Sequence, residues 1–127
     1  TVTDVSELTF YEDFSDLSDW TNSGWSISNS SNCSVAPCVY YFNSMATMST
    51  NVAVSAGQKL SFYYKPYWVC DVGDVQLFFD NTLVWSSPGW VSGTKEVNIT
   101  NSGNLNIKFV GGPCSSGSAY IDELKIE

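Results

Sequence analysis

The sequence predicts an all-β protein, a two-sheet antiparallel β-sandwich, on three observations. Short segments of alternating apolar and polar residues recur from end to end, clusters of Gly, Asn, Ser and Pro separate them, and nothing reads as a helix longer than a turn. About ten such segments at this spacing bury their apolar faces most economically between two stacked sheets. A length of 127 residues suits one domain, and no internal repeat, linker or composition shift divides residues 1–127.

The segments follow in order. "LTFYEDF" (Leu8–Phe14) opens the fold, followed by "GWSIS" (Gly24–Ser28), "CVYYF" (Cys38–Phe42) and the long "ATMSTNVAV" (Ala46–Val54). A Gly turn then leads into "QKLSFYYK" (Gln58–Lys65), where Leu60, Phe62 and Tyr64 share the inward face. "DVQLFFD" (Asp74–Asp80) turns Val75, Leu77 and Phe79 inward, and "DN" at Asp80-Asn81 suggests a tight hairpin into "TLVWSS" (Thr82–Ser87). With a two-residue loop, Phe78 pairs with Leu83 and Gln76 with Trp85 on the outer face; a loop one residue longer turns Trp85 inward. "TKEVNIT" (Thr94–Thr100) buries Val97 and Ile99, and "NLNIKFV" (Asn104–Val110) buries Leu105, Ile107 and Phe109. The closing "AYIDELKIE" (Ala119–Glu127) changes phase: Ala119 and Ile121 lie on one face, Leu124 and Ile126 on the other. A β-bulge near Asp122-Glu123 would bring Ile121, Leu124 and Ile126 to the core together and re-aim a carboxylate. Trp25 shares parity with Ile27 and belongs to the core, while Trp20 plugs the first turn.

Composition excludes several functions. Five basic residues stand against thirteen acidic ones, for a net charge of −8, and the basic residues never cluster, which argues against nucleic-acid binding. There is no histidine, which removes the commonest general base, the usual catalytic triads and most zinc sites. Every basic residue is lysine, so no guanidinium fork is available to clamp a carboxylate. No apolar run reaches membrane-spanning length and no signal or transit peptide is present, so the chain reads as a soluble, mature one without membrane insertion. Cysteines at 33, 38, 70 and 114 permit three pairings; we favour Cys33–Cys38, closing the short "CSVAPC" loop, with Cys70–Cys114. A four-cysteine zinc site lacks CxxC spacing, and buried free thiols are the plainer alternative. Disulfides and the sequons at Asn29, Asn32 and Asn98 fit an extracellular or cell-surface glycoprotein.

The acids near the two ends raise a chemical question. Phe10, Glu12 and Phe14 share a face, so a carboxylate sits between two core phenylalanines, where an unpaired charge would cost several kcal/mol. Asp122 shares parity with Leu124 and Ile126. Two inward acids on terminal strands, without arginine, suggest one structural calcium ion completed by backbone carbonyls; hydration at the sandwich edge, or pairing with Lys125 or Lys59, is the alternative. Paired carboxylates could also serve a glycosidase, but nothing marks a cleft between them, and the chain is read as non-catalytic. Asp71 and Asp74 are turn residues.

In order, "FYEDFSDLSDWTNSGWSIS", "AGQKLSFYYK", "LFFDNTLVWSS", "NLNIKFVGG" and "AYIDELKIE" resemble the jelly-roll modules of secreted proteins: MAM-like domains, cleaved-adhesin domains and related carbohydrate-binding modules. The resemblance implies a two-sheet jelly roll, often with calcium near the chain ends, and carries the ligand positions onto Glu12, Asp13, Asp122 and Glu123. It also implies adhesion, glycan recognition or self-association. Aromatic residues are 15% of the chain, and Tyr67 and Trp68 after a proline, Trp90 on a Pro-Gly turn, and an outward Trp85 are candidates to stack on sugar rings. The expected partner is a glycan or cell-surface ligand. The alternative is a filament subunit in which residues 1–9, "TVTDVSELT", form an extension or donor strand added to the sheet edge of another copy.

Overall fold

The computed structural model describes residues 10–42, 45–68, 75–87, 91–112 and 117–127, with the side chain of Trp68 outside that set. Within them lie eleven strands: β1 (Phe10–Glu12), β2 (Thr21–Ser23), β3 (Ser26–Ser28), β4 (Cys38–Phe42), β5 (Ala46–Val54), β6 (Lys59–Trp68), β7 (Val75–Phe79), β8 (Thr82–Ser86), β9 (Gly93–Asn98), β10 (Gly103–Gly111) and β11 (Ser118–Ile126). They form two antiparallel sheets packed as a jelly-roll sandwich. One runs β3-β4-β11-β6-β9, with β1 added beside β11; the other runs β2-β5-β10-β7-β8. The expected segments all recur, and β2 is an addition. Its sequence, Thr21–Ser23, is polar and fully exposed, so it carries no apolar alternation to betray it.

The core forms where parity placed it. Leu60, Phe62, Tyr64, Val75, Leu77, Phe79, Ile99, Leu105, Ile107 and Phe109 are buried between the sheets, and Val97 is partly buried against them. Trp25 is buried edge-on to Tyr41, at 5.2 Å between ring centroids, and Trp20 closes the first turn beside Phe14. Asn29 and Asn98 point into solvent, while Asn32 is half-buried in the loop closed by the Cys33–Cys38 disulfide. The proposed Cys70–Cys114 bond, Asp71, Asp74, Trp90 and the donor strand at residues 1–9 lie outside the described residues.

β11 resolves its change of phase with a bulge. Asp122 pairs with Tyr63 and Lys125 with Ser61, so β11 places two residues where β6 has one, and Glu123 takes up the excess in a left-handed conformation, φ 50°. Ile121, Leu124 and Ile126 are all completely buried as a result.

Gly111 marks a different close approach. On β10 it faces the buried ring of Tyr41 on the opposite sheet, and a Cβ there would stand 2.9 Å from Tyr41 Cγ and nearer still to Cδ1 and Cε1. Tyr41 is fully enclosed and cannot retreat. Gly111→Ala is expected to destabilise the fold by about 1–3 kcal/mol, the usual cost of overpacking, measured by urea unfolding against the parent chain.

Candidate functional site

Strand alternation sorts the tyrosines into two populations. Tyr41 and Tyr64 go inward, whereas Tyr40 on β4, Tyr120 on β11, Tyr63 and Tyr67 on β6 and Tyr11 on β1 take the intervening positions and so stand on the outer face of the six-stranded sheet. Register sets Tyr120 opposite Tyr40 on one side and opposite Lys65 on the other. The rings of Tyr40 and Tyr120 stack at 5.4 Å, and Tyr67 meets Tyr120 nearly at right angles at 6.3 Å. Tyr120 is thereby covered, while Tyr67 at the end of the row is 56% exposed. Phe42, 59% exposed, continues the row across Ser118. Tyr63 and Tyr67 are four residues apart on one strand, about 13 Å, so the face offers aromatic surface over more than a single sugar ring.

Of the aromatic candidates from sequence, Tyr67 belongs to this face. Trp68 ends β6 opposite Ser118, its side chain outside the description, and Trp90 is outside it altogether. Trp85 does not reach the outer face. The loop is indeed two residues long, with Asp80 and Asn81 both left-handed as a tight hairpin requires, and Phe78 pairs with Leu83. One step on, however, β8 carries an extra residue, Val84, so Trp85 pairs with Leu77 rather than Gln76. That slip turns the indole inward, edge-on to Phe62 at 5.0 Å and Tyr64 at 5.4 Å. The sequence reasoning passed over Tyr11, Tyr40, Tyr63 and Tyr120, although counting by twos from the assigned inward residues would have turned Tyr63 and Tyr120 outward.

The four acids expected to hold calcium serve separate tasks. Glu12 is buried, accepting the indole N–H of Trp20 on Oε1 at 2.7 Å and the backbone N–H of Phe14 on Oε2 at 2.8 Å. Asp13 is exposed and accepts the Ser15 N–H at 3.0 Å. Asp122, 2% exposed, accepts the Val35 N–H on Oδ2 at 2.6 Å and the Glu123 N–H on Oδ1 at 2.8 Å. Glu123 is half-buried at the bulge. A calcium ion would have to compete with these N–H donors, and among the described residues no three acidic side chains gather closely enough to cage an ion. The same occupancy unsuits Glu12 and Asp122 as an acid–base pair. Burial raises the Tyr11 phenol above its ordinary range, and the surrounding charges of Asp13, Glu123, Asp122 and Glu12 push it further up, so Tyr11 keeps its proton and remains a hydrogen-bond donor.

Hollows among the described residues include a pair of unequal size. The larger, about 340 Å³, lies at one end of the sandwich between Asp80, Val84 and the 98–105 segment; it contains no exposed aromatic ring. The other, about 200 Å³, lies on the tyrosine face over the β11 bulge.

The fold is a jelly roll of the kind seen in carbohydrate-binding and cleaved-adhesin domains. The CBM22-1 xylan-binding domain of Paenibacillus barcinonensis Xyn10C superposes with a TM-score of 0.67 at 10% identity, covering 95% of this chain and 94% of that one. The K1 cleaved adhesin domain of Lys-gingipain from Porphyromonas gingivalis W83 gives 0.67 at 14% identity, covering 93% and 96%. TmCBM61, solved with β-1,4-galactotriose, gives 0.63 at 17% identity, covering 88% and 90%. What these identities establish in common is the fold. No protein-family model matches the chain, and no curated protein matches it in sequence.

Asp122 yields a pH prediction. Burial raises its carboxyl above the ordinary 3.8, against the pull of the Val35 and Glu123 N–H bonds, with the Glu123 charge adding to the rise. The folded state therefore holds the proton more tightly than the unfolded one. The resulting stability is complete below the unfolded value and is lost as pH rises through the folded value. In urea melts from about pH 7 down to about pH 4, the parent chain is expected to gain stability progressively relative to Asp122→Asn.

Proposed function

We propose that this chain is a non-catalytic, extracellular or cell-surface recognition module that binds glycan through the outer face of its six-stranded sheet. The observation that carries the reading is the tyrosine row: Tyr67 stands exposed at the end of a Tyr40–Tyr120 stack, on rigid strands rather than on a loop. Sugar rings present apolar C–H faces that lie on such phenols, while hydroxyl groups and Lys65 beside the row supply directional hydrogen bonds. Covering Tyr120 between its neighbours fixes the platform before ligand arrives, which lowers the ordering cost of binding.

Further support is indirect. Several proteins of the same fold are described as carbohydrate-binding or adhesin modules, and the Cys33–Cys38 disulfide suits an oxidising compartment. The net charge of −8 argues for a neutral glycan over an acidic one, since the excess of carboxylates would repel an anion.

Tyr67→Ala removes an exposed ring, and such surface changes usually leave stability within about 0.5 kcal/mol. On a glycan array followed by calorimetry, the parent chain is expected to bind at least one neutral polysaccharide and Tyr67→Ala to bind it about tenfold more weakly. A blank array for the parent, or unchanged affinity in the variant, would contradict the reading.

A further inference from the structure

The cleft over the β11 bulge has a feature that packing does not explain. It is lined by Tyr11, Ser61, Tyr63, Thr94, Glu123 and Lys125. Ser61 is 6% exposed, and its Oγ is a buried polar atom without a hydrogen-bond partner. A buried hydroxyl left unpaired costs about 1–3 kcal/mol, and such a group beside an open cleft points to a partner that arrives from outside.

The cleft has a clear structural origin. Between Asp122 and Lys125, β11 spends two residues against one on β6, which bows the strand and leaves room above Ser61. Tyr11 is brought to the rim by pairing with Lys125, and Thr94 by pairing with Tyr63. The wall chemistry is mixed: phenols from Tyr11 and Tyr63, hydroxyls from Ser61 and Thr94, one carboxylate and one ammonium. The two opposite charges give no preference for an ionic ligand, whereas the density of hydroxyl groups beside aromatic rings matches a neutral ring bearing several hydroxyls.

We propose that this cleft is a distinct subsite for one neutral hexopyranose ring, with Ser61 Oγ hydrogen-bonded to a sugar hydroxyl and Tyr11 and Tyr63 flanking the ring. The inference rests on the glycan-binding reading of the same sheet face and adds the residue that anchors the sugar. Ser61 Oγ lies just beneath the cleft surface, so a covering side chain moves aside when the ring enters. Lys125 is suited to do so, held to Glu127 by a half-exposed ion pair of 3.7 Å, a contact of small energy.

The test uses 15N-labelled full chain titrated with glucose, galactose and mannose separately. At least one hexose is expected to shift the amide signals of Ser61, Thr94 and Glu123 with a saturating curve. Ser61→Ala should weaken that hexose about fivefold, the loss of one hydrogen bond, without lowering the melting temperature, because it deletes an unpaired buried hydroxyl. A residue of purely structural importance would not separate those two readouts. Thr94→Val, at an exposed rim position, should weaken the same hexose. Shifts confined to the neighbourhood of Tyr67, or unaltered affinity in Ser61→Ala as expected if only a water satisfies the hydroxyl, would overturn the subsite while leaving polysaccharide binding at Tyr67 intact. No hexose shift together with a blank glycan array would overturn both.

Discussion

A strand that must serve three neighbours sets the terms for the rest of the molecule. β6 runs along one edge of β11, while the other edge is shared: β4 pairs with Ser118–Ile121 and β1 with Leu124–Ile126. Asp122 and Glu123 fall at the handover, where neither β4 nor β1 supplies the ladder. A regular strand would keep its period of two through this gap and turn one half of its apolar residues to solvent. Glu123 prevents that by adopting a left-handed backbone. Asp122 stabilises the break locally, its two oxygens receiving the N–H groups of Val35 and Glu123 and thereby tying the disulfide-closed loop to the strand.

Buried charge is handled in the same manner at the other terminus. Glu12 lies between Phe10 and Phe14 on an inward face, in a chain with neither arginine nor histidine. A metal ion is one way to neutralise such a group, and two neutral donors, the Trp20 indole and the Phe14 amide, also reach it. Charge-assisted hydrogen bonds of this kind are about twice as strong as neutral ones, and they fix the "EDFSDLSDW" turn at the mouth of the core. Glu12 on the inward face and Asp122, set beside Tyr63 on the outer face beneath the disulfide-closed loop, each accept two N–H groups of the fold.

Much of this was legible because strand alternation is a local property. Leu60, Phe62 and Tyr64, or Leu105, Ile107 and Phe109, need only their own segment to declare an inward face. The phase slip at Asp122-Glu123 was legible as a bulge for the same reason, since both halves of β11 are apolar enough to carry their own parity. Trp85 was not, because the extra residue at Val84 lies among outward positions where either phase is tolerated, and only the packing of the indole on Phe62 and Tyr64 selects one. β2 escaped because hydrogen bonds to β5, not burial, define it. The tyrosine row depends on register between strands distant in sequence: Tyr40, Tyr67 and Tyr120 become neighbours only once β4, β11 and β6 are laid side by side.

The bulge and the aromatic face are therefore consequences of one arrangement. Because β11 lies between β4 and β6, its outward tyrosine is flanked by theirs, and Tyr120 becomes the fixed centre of an aromatic row. Because the same strand must pass from β4 to β1, it bows two residues later and opens a cleft at the foot of that row, floored by a serine whose hydroxyl the fold leaves unpaired. A flat platform suits the faces of successive sugar rings, whereas a concave end suits one ring approached from its edge. One sheet face thus carries both shapes, a flat aromatic row and a concave end, because one strand answers to three neighbours.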